Sequence, residues 1–287
     1  AREDYEVIMG LEVHAELSTK TKIFCSCPTT FGAAPNTQVC PICMAMPGTL
    51  PKLNEKVVEY AVKAGLATNC EISRDSKMDR KNYFYPDNPK NFQITQQRTP
   101  IGTDGYVEIE VDGIKKKIEI LEMHIEEDTC KSVHGENTSL LDFNRAGVPL
   151  IEIVTKPCMH NEKEAVLYLE KLRELLLYGE ISDCKIEEGS MRCDTNVSIS
   201  KTEELGVKVE VKNIGSISNV GEAIRYEVNR QMNLLENNEK VIEELVDRIT
   251  GRYAMRDVVN PKTGVVIVEA NELITKALAQ EINKAGI

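Results

Sequence analysis

Residues Tyr106–Glu122, YVEIEVDGIKKKIEILE, decide the fold class. Val107, Ile109 and Val111 alternate with Glu108 and Glu110, the chain turns at Asp112-Gly113, and Lys115 to Ile120 resumes the alternation. A period of two marks a half-buried strand, and Asp-Gly between two such runs marks a tight antiparallel hairpin. The same alternation runs through Tyr5–Leu17, where Val7, Met9, Leu11 and Val13 oppose Glu6, Glu12 and His14. Further strands are predicted at Pro149–Val154, Asn196–Ile199 and Val207–Val211. Helical spacing of apolar residues predicts helices over Glu55–Thr68, Lys163–Leu177 and Gly221–Leu235. Long strands, a hairpin and interposed helices without a βαβ rhythm indicate an α+β fold on a mostly antiparallel twisted sheet.

The 287 residues allow one large domain or two ordinary ones. A formal net charge of −11 excludes a sequence-independent nucleic-acid coat, but leaves room for a few local cations that grip one RNA end. No apolar run approaches the roughly 18 residues of a membrane span, and no basic-then-apolar leader opens the chain, so a cytoplasmic protein is expected.

Nine cysteines in such a chain suggest metal binding and buried thiols rather than disulfides. Cys25-Ser26-Cys27 and Cys40-Pro41-Ile42-Cys43 are separated by twelve residues rich in proline and glycine. Two close thiolate pairs supply the four soft ligands of a tetrahedral zinc site, with no position left for water, so a structural zinc knuckle is expected over residues 23–48. Buried free thiols and an iron–sulfur cluster are the competing readings. Cys70, Cys130, Cys158, Cys184 and Cys193 lack ligand spacing and read as small core residues.

Three acidic segments, Gly10–His14, His124–Asp128 and Met191–Asn196, bring carboxylates into strand-like sequence. A single acid on a strand usually faces solvent. Glu12, Glu127, Glu152 and Asp194 stand on separate strands with His14 two residues from Glu12, a set that could converge on one cation. Carboxylate oxygens suit magnesium, and the imidazole admits manganese. His124 is expected to support the site or the fold, whereas His134 and His160 fall in surface loops. Neither GxxxxGK[ST] nor GxGxxG occurs, so any nucleotide would be held by metal and side chains. Asp79–Ile94 interleaves cations with rings (Arg80, Lys81, Tyr83, Phe84, Tyr85), which suits a single-stranded nucleotide or a rigid loop packed on the sheet. Arg145 adds a cation beside the Gly147 turn.

Together GLEVHAEL (10–17), FCSCP (24–28), DRKNYFYPDNPKNFQITQ (79–96), HIEEDTCK (124–131), DFNRAGVPLIEIVTKP (142–157), EEGSMRCDTNVSI (187–199) and VEVKNIGS (209–216) resemble, in order, the B subunit of the aspartyl/glutamyl-tRNA amidotransferases. The resemblance covers residues from about 4 to about 235. It implies a catalytic cradle over residues 1–237 and one component of a cytoplasmic heterotrimer, with the amidase (A) subunit and the small (C) subunit as partners. The substrates implied are ATP and the acceptor end of misacylated tRNA, whose Glu or Asp side chain is phosphorylated and then amidated by ammonia. Glu127, Glu12 and Asp194 are then expected to be catalytic, and Lys81, Tyr83 and Arg145 to face phosphate or the tRNA end. Glu12, His14, Glu127, Glu152 and Asp194 would hold magnesium or manganese, with Glu126 and Glu210 in reserve, and Cys25, Cys27, Cys40 and Cys43 would hold zinc. Cys130 departs from the pattern by replacing a glycine, which would crowd the backbone if that position needs positive φ. Residues 238–287 depart further and resemble a stretch of the bacterial RNA polymerase β′ subunit. The alternative function is a non-catalytic, zinc-stabilised scaffold or RNA-binding fragment.

Overall fold

The computed structural model describes residues 5–135, 137–202, 204–237 and 245–287. The chain begins with β1 (Glu6–Glu16), α1 (Glu55–Ala67), β2 (Glu71–Ile72), β3 (Asp79–Asn82), β4 (Phe92–Thr95), β5 (Gly102–Val111) and β6 (Ile114–Glu127). It continues through β7 (Lys131–His134), β8 (Ser139–Asp142), β9 (Pro149–Thr155), α2 (Glu162–Tyr178), β10 (Met191–Ser200), β11 (Val209–Val211) and α3 (Ile217–Glu236). Last come α4 (Leu245–Ile249), β12 (Val258–Val259), β13 (Val266–Val268) and α5 (Lys276–Ala285).

Seven strands form one sheet in the order β11-β10-β1-β9-β6-β5-β2, with every pairing antiparallel, so the fold is α+β. The predicted hairpin is present. Asp112 (φ 51°) and Gly113 (φ 82°) close it with positive φ at both turn positions, which matches the right-handed twist of the flanking strands. Helices α1, α2 and α3 pack against β6, β5 and β10, respectively. Met9, Leu11, Val13 and Ala15 of β1 join Tyr168, Leu169 and Leu172 of α2 and Val220 and Ile224 of α3 in one buried core. Strand alternation therefore directs Glu12, His14 and Glu16 to the opposite face.

Several elements differ from the sequence reading; β10, for example, spans Met191–Ser200 rather than Asn196–Ile199. Helix α3 starts at Ile217 rather than Gly221, because the Ser216 side chain accepts the Asn219 N–H and caps the first turn. Gly221 then lies inside the helix, where a Cβ would stand 3.1 Å from Val166 of α2, so its missing side chain allows close helix packing. The Asp79–Ile94 loop is a hairpin, with Lys81 of β3 opposite Gln93 of β4.

The chain divides into two compact units, Ala1–Lys131 with Leu141–Asn238, and Ser132–Leu140 with Glu239–Ile287. The second unit has a small core of its own, built from Val246, Ala254, Val268, Ile274, Ala279 and Ile282.

Candidate active site

Strand register places the functional side chains in rows across the sheet. His14 of β1 stands opposite Glu152 of β9, which in turn stands opposite His124 of β6. One row along, Glu12 of β1 faces Asp194 of β10, and in the next row on this face Asn196 of β10 faces Glu210 of β11. Two ligand groups result, His14–Glu126–Glu152 and Glu12–Asp194–Glu210, each with its donor atoms within 4.8 Å of one another.

In the first group His14 Nε2 lies 3.1 Å from Glu126 Oε1 and 3.7 Å from Glu152 Oε1. Burial by itself would lower the His14 pKa, but the hydrogen bond to Glu126 and the charges of Glu152 and Glu126 outweigh it and raise it. Burial would likewise raise Glu152, yet its hydrogen bond from His124 and the charges of His14, His124 and Lys81 pull it down to about 2. One imidazole and two carboxylates leave open positions for water and phosphate, and the mixed donor set fits manganese as well as magnesium. The second group is all carboxylate. Glu12 accepts from Asn196 Nδ2 at 2.9 Å, and Lys212 Nζ sits 3.0 Å from Asp194 and 3.2 Å from Glu210.

Glu127, expected among the ligands, stands outside both groups. His124 and Glu126 share a face of β6, and Glu127 points the other way. Its carboxylate pairs with Lys90 and accepts the Ile94 N–H at 2.9 Å, beside a cavity of about 430 Å³ walled by Phe24, Phe92 and the cysteine loop. Arg145 is also engaged elsewhere than expected. It donates to the carbonyls of Thr129 and Cys130 at 3.0 Å each and lies 3.5 Å from Asp128. Lys81 is exposed on β3 with its charge felt at Glu152, and the Tyr83 hydroxyl bonds to Asp87. Cys130 is buried and is not in the positive-φ region, so its side chain does not strain the backbone there. His134 ends β7 and His160 bonds the Val7 carbonyl; both are exposed.

Sequence reasoning missed Asp128, Arg192, Glu16 and Lys90. Asp128 is buried and accepts from Arg192 Nη1 at 2.8 Å. Glu16 beside it is pushed up to about 8, first by burial and then by the Asp128 charge. The signal available was the i, i+2 spacing of Glu16 from His14 and of Asp128 from Glu126, which extends the same face by one step. Glu16 keeps a proton in the folded state that the unfolded chain releases above about 4.5, so the stability it contributes is full below that value and is lost as pH rises through 8. Thermal unfolding between about pH 6 and about pH 9 is therefore expected to show a steeper alkaline decline for the natural chain than for Glu16→Gln, which carries no proton to lose. Parallel declines would overturn the assignment.

The four cysteines of the loop also converge, with their sulfur atoms within 4.8 Å of one another and Cys40 and Cys43 3.9 Å apart. The Cys43 thiol is held down at about 4 by the Cys25 hydrogen bond and, among other contacts, the charge of Lys22. Four convergent cysteine sulfurs suit a structural zinc ion, which they would hold as thiolates.

A family model described as the GatB/GatE catalytic domain matches residues 7–280. The chain belongs to this family. The match extends well beyond Asn237, into residues that the sequence reading set apart from the family. Relatives named as the B subunit of aspartyl/glutamyl-tRNA(Asn/Gln) amidotransferase include those of Clostridium tetani (56% identical) and Thermoanaerobacter pseudethanolicus (59%), both over 244 residues. Another, from Caldicellulosiruptor bescii, is 56% identical over 245 residues. Each comparison covers 84% of this chain and 51% of the relative, so the chain spans about half the length of these GatB proteins. Among the described residues, no helix is long and apolar enough to cross a membrane.

Proposed function

We propose that this chain carries the phosphoryl-transfer centre of a cytoplasmic, tRNA-dependent amidotransferase, working with the amidase (A) subunit, the small (C) subunit and misacylated tRNA. The carrying observation is the pair of ligand groups, His14–Glu126–Glu152 and Glu12–Asp194–Glu210, side by side on one sheet face. Glu12 and His14 are two residues apart on β1, so the groups are separated by about 7 Å along the strand. Magnesium or manganese in these groups would neutralise charge on the transferred phosphoryl group.

A carboxylate does not react directly with ammonia at neutral pH, because oxide would have to leave. In the proposed reaction the side-chain carboxylate oxygen of the aminoacyl group attacks the γ-phosphorus of ATP, and ADP leaves. Ammonia then attacks the carbonyl carbon of the acyl phosphate, phosphate leaves, and the amide nitrogen loses a proton. Lys81 and Lys212 border the two carboxylate groups and offer ammonium ions to phosphate oxygens. Arg145 and Arg192 both pair with the buried Asp128.

The test is magnesium-dependent ATP hydrolysis in the assembled enzyme with misacylated tRNA. His14→Ala is expected to slow it by about 100-fold or more. Equal rates would overturn the proposal and leave a zinc-stabilised scaffold as the reading.

A further inference from the structure

His124 belongs to neither ligand group, yet it is tied to one of them. Its Nε2 lies 2.5 Å from Glu152 Oε2, and its ring is only 10% exposed. Register explains the contact: His14, Glu152 and His124 occupy one row on the adjacent strands β1, β9 and β6. Glu152 is thus flanked by an imidazole on each side. One carboxylate oxygen is engaged by His124, and Oε1 is the oxygen on the His14 side.

With Glu152 ionised the carboxylate can only accept hydrogen bonds, which assigns the donor role in this contact to His124 Nε2. The other ring nitrogen, Nδ1, is buried with no hydrogen-bond partner among the described residues, and the Glu122 carboxylate stands 3.9 Å away. A ring used only for packing would be better served by an apolar side chain, which leaves no buried nitrogen unsatisfied. The contact that justifies a histidine here is the one to Glu152.

We propose that His124 is a positioning residue for the cation held by His14, Glu126 and Glu152. By engaging Oε2 it fixes the rotation of the Glu152 carboxylate and keeps Oε1 turned toward His14, where it would be available to a cation. The proposal rests on the cation reading of this group. Partners that orient metal-ligating side chains typically contribute 10–100-fold to affinity.

The test is Mn2+ binding followed by electron paramagnetic resonance on the full chain, in an Asp194→Asn background that silences the neighbouring group. His124→Phe keeps the ring and loses the donor, and is expected to weaken Mn2+ by about 10–100-fold. His124→Gln restores an N–H near the Nε2 position and is expected to recover most of that affinity. Retained zinc and an unchanged thermal midpoint in both variants confirm folding. Nitrogen couplings to bound Mn2+ should report one imidazole, that of His14, in the parent and in His124→Gln alike.

Tight binding by the parent with equal affinity in His124→Phe would overturn the positioning role alone. So would loss of a nitrogen coupling in His124→Gln, which would make His124 a direct ligand. Absence of Mn2+ binding by the parent would overturn the cation reading, and this proposal with it.

Discussion

Serine in place of Cys43 is expected to empty the zinc site and to release two segments of the chain, not one. Residues 23–48 contain no helix or strand, so their backbone is held by turn and loop hydrogen bonds and by the convergence of Cys25, Cys27, Cys40 and Cys43. Lys22 is fully buried, with its ammonium 3.6 Å from Cys43 Sγ and 3.2 Å from the Phe143 carbonyl. Losing the thiolates would strand that charge in the interior. Asn36 bonds Asp142 and Phe143 at 3.0 and 2.8 Å, the Gln38 N–H donates to Asn144, and Asn144 returns a bond to the Ala34 carbonyl. The cysteine loop therefore braces residues 142–148, the segment that carries Arg145 to Asp128.

Zinc binding to structural sites contributes on the order of 10 kcal/mol in small peptides, and a loss of at least about 4 kcal/mol is expected here. Elemental analysis should find zinc in the parent and none in Cys43→Ser. Hydrogen exchange should accelerate across both the cysteine loop and residues 142–148. Cys184→Ser, at a buried cysteine outside the cluster, should keep its zinc. Protection at 142–148 that survives zinc loss would refute the bracing role.

The second large effect is expected at Lys90. Its side chain is 16% exposed and pairs with Glu127, which is 6% exposed. Burial raises the Glu127 pKa, and the charge and hydrogen bond of Lys90 work against it. Methionine at position 90 keeps the apolar stem between Phe24 and Phe92 but strands the carboxylate. Removing one partner of a buried pair costs about 3–5 kcal/mol, because the other charge is left uncompensated. Glu127→Gln keeps an oxygen for the Ile94 N–H, so the double variant Lys90→Met/Glu127→Gln is expected to regain most of the loss. Denaturant unfolding of the four proteins closes this cycle. Additive losses in the double variant would show that the pair is not coupled.

These two predictions separate what could be read along the chain from what could not. Alternation in Tyr5–Leu17 and Tyr106–Glu122 depends on local geometry, so β1, the β5–β6 hairpin and the Asp112-Gly113 turn were legible. Cysteine spacing was legible for the same reason, since each tight pair is set by a few bonds. The ligand types were legible too, as carboxylates and one imidazole on strands.

Which carboxylates meet was not. Glu126 and Glu127 are neighbours of the same type at the end of a strand, and only the direction of the pleat assigns one to His14 and the other to Lys90. Arg145 looked free for phosphate in the sequence, but the folded loop places its guanidinium against two carbonyls and Asp128. Of the single cation set inferred from Glu12, His14, Glu127, Glu152 and Asp194, all but Glu127 fall into two groups, because the β1–β9 and β1–β10 registers set His14 and Glu12 in different rows. By itself the sequence determined the long alternating strands, the Asp112-Gly113 turn and the types of ligand, all consequences of local backbone periodicity and residue chemistry. Tertiary structure alone decided the pairing of charges, because register between distant strands chooses which face and which row each side chain joins.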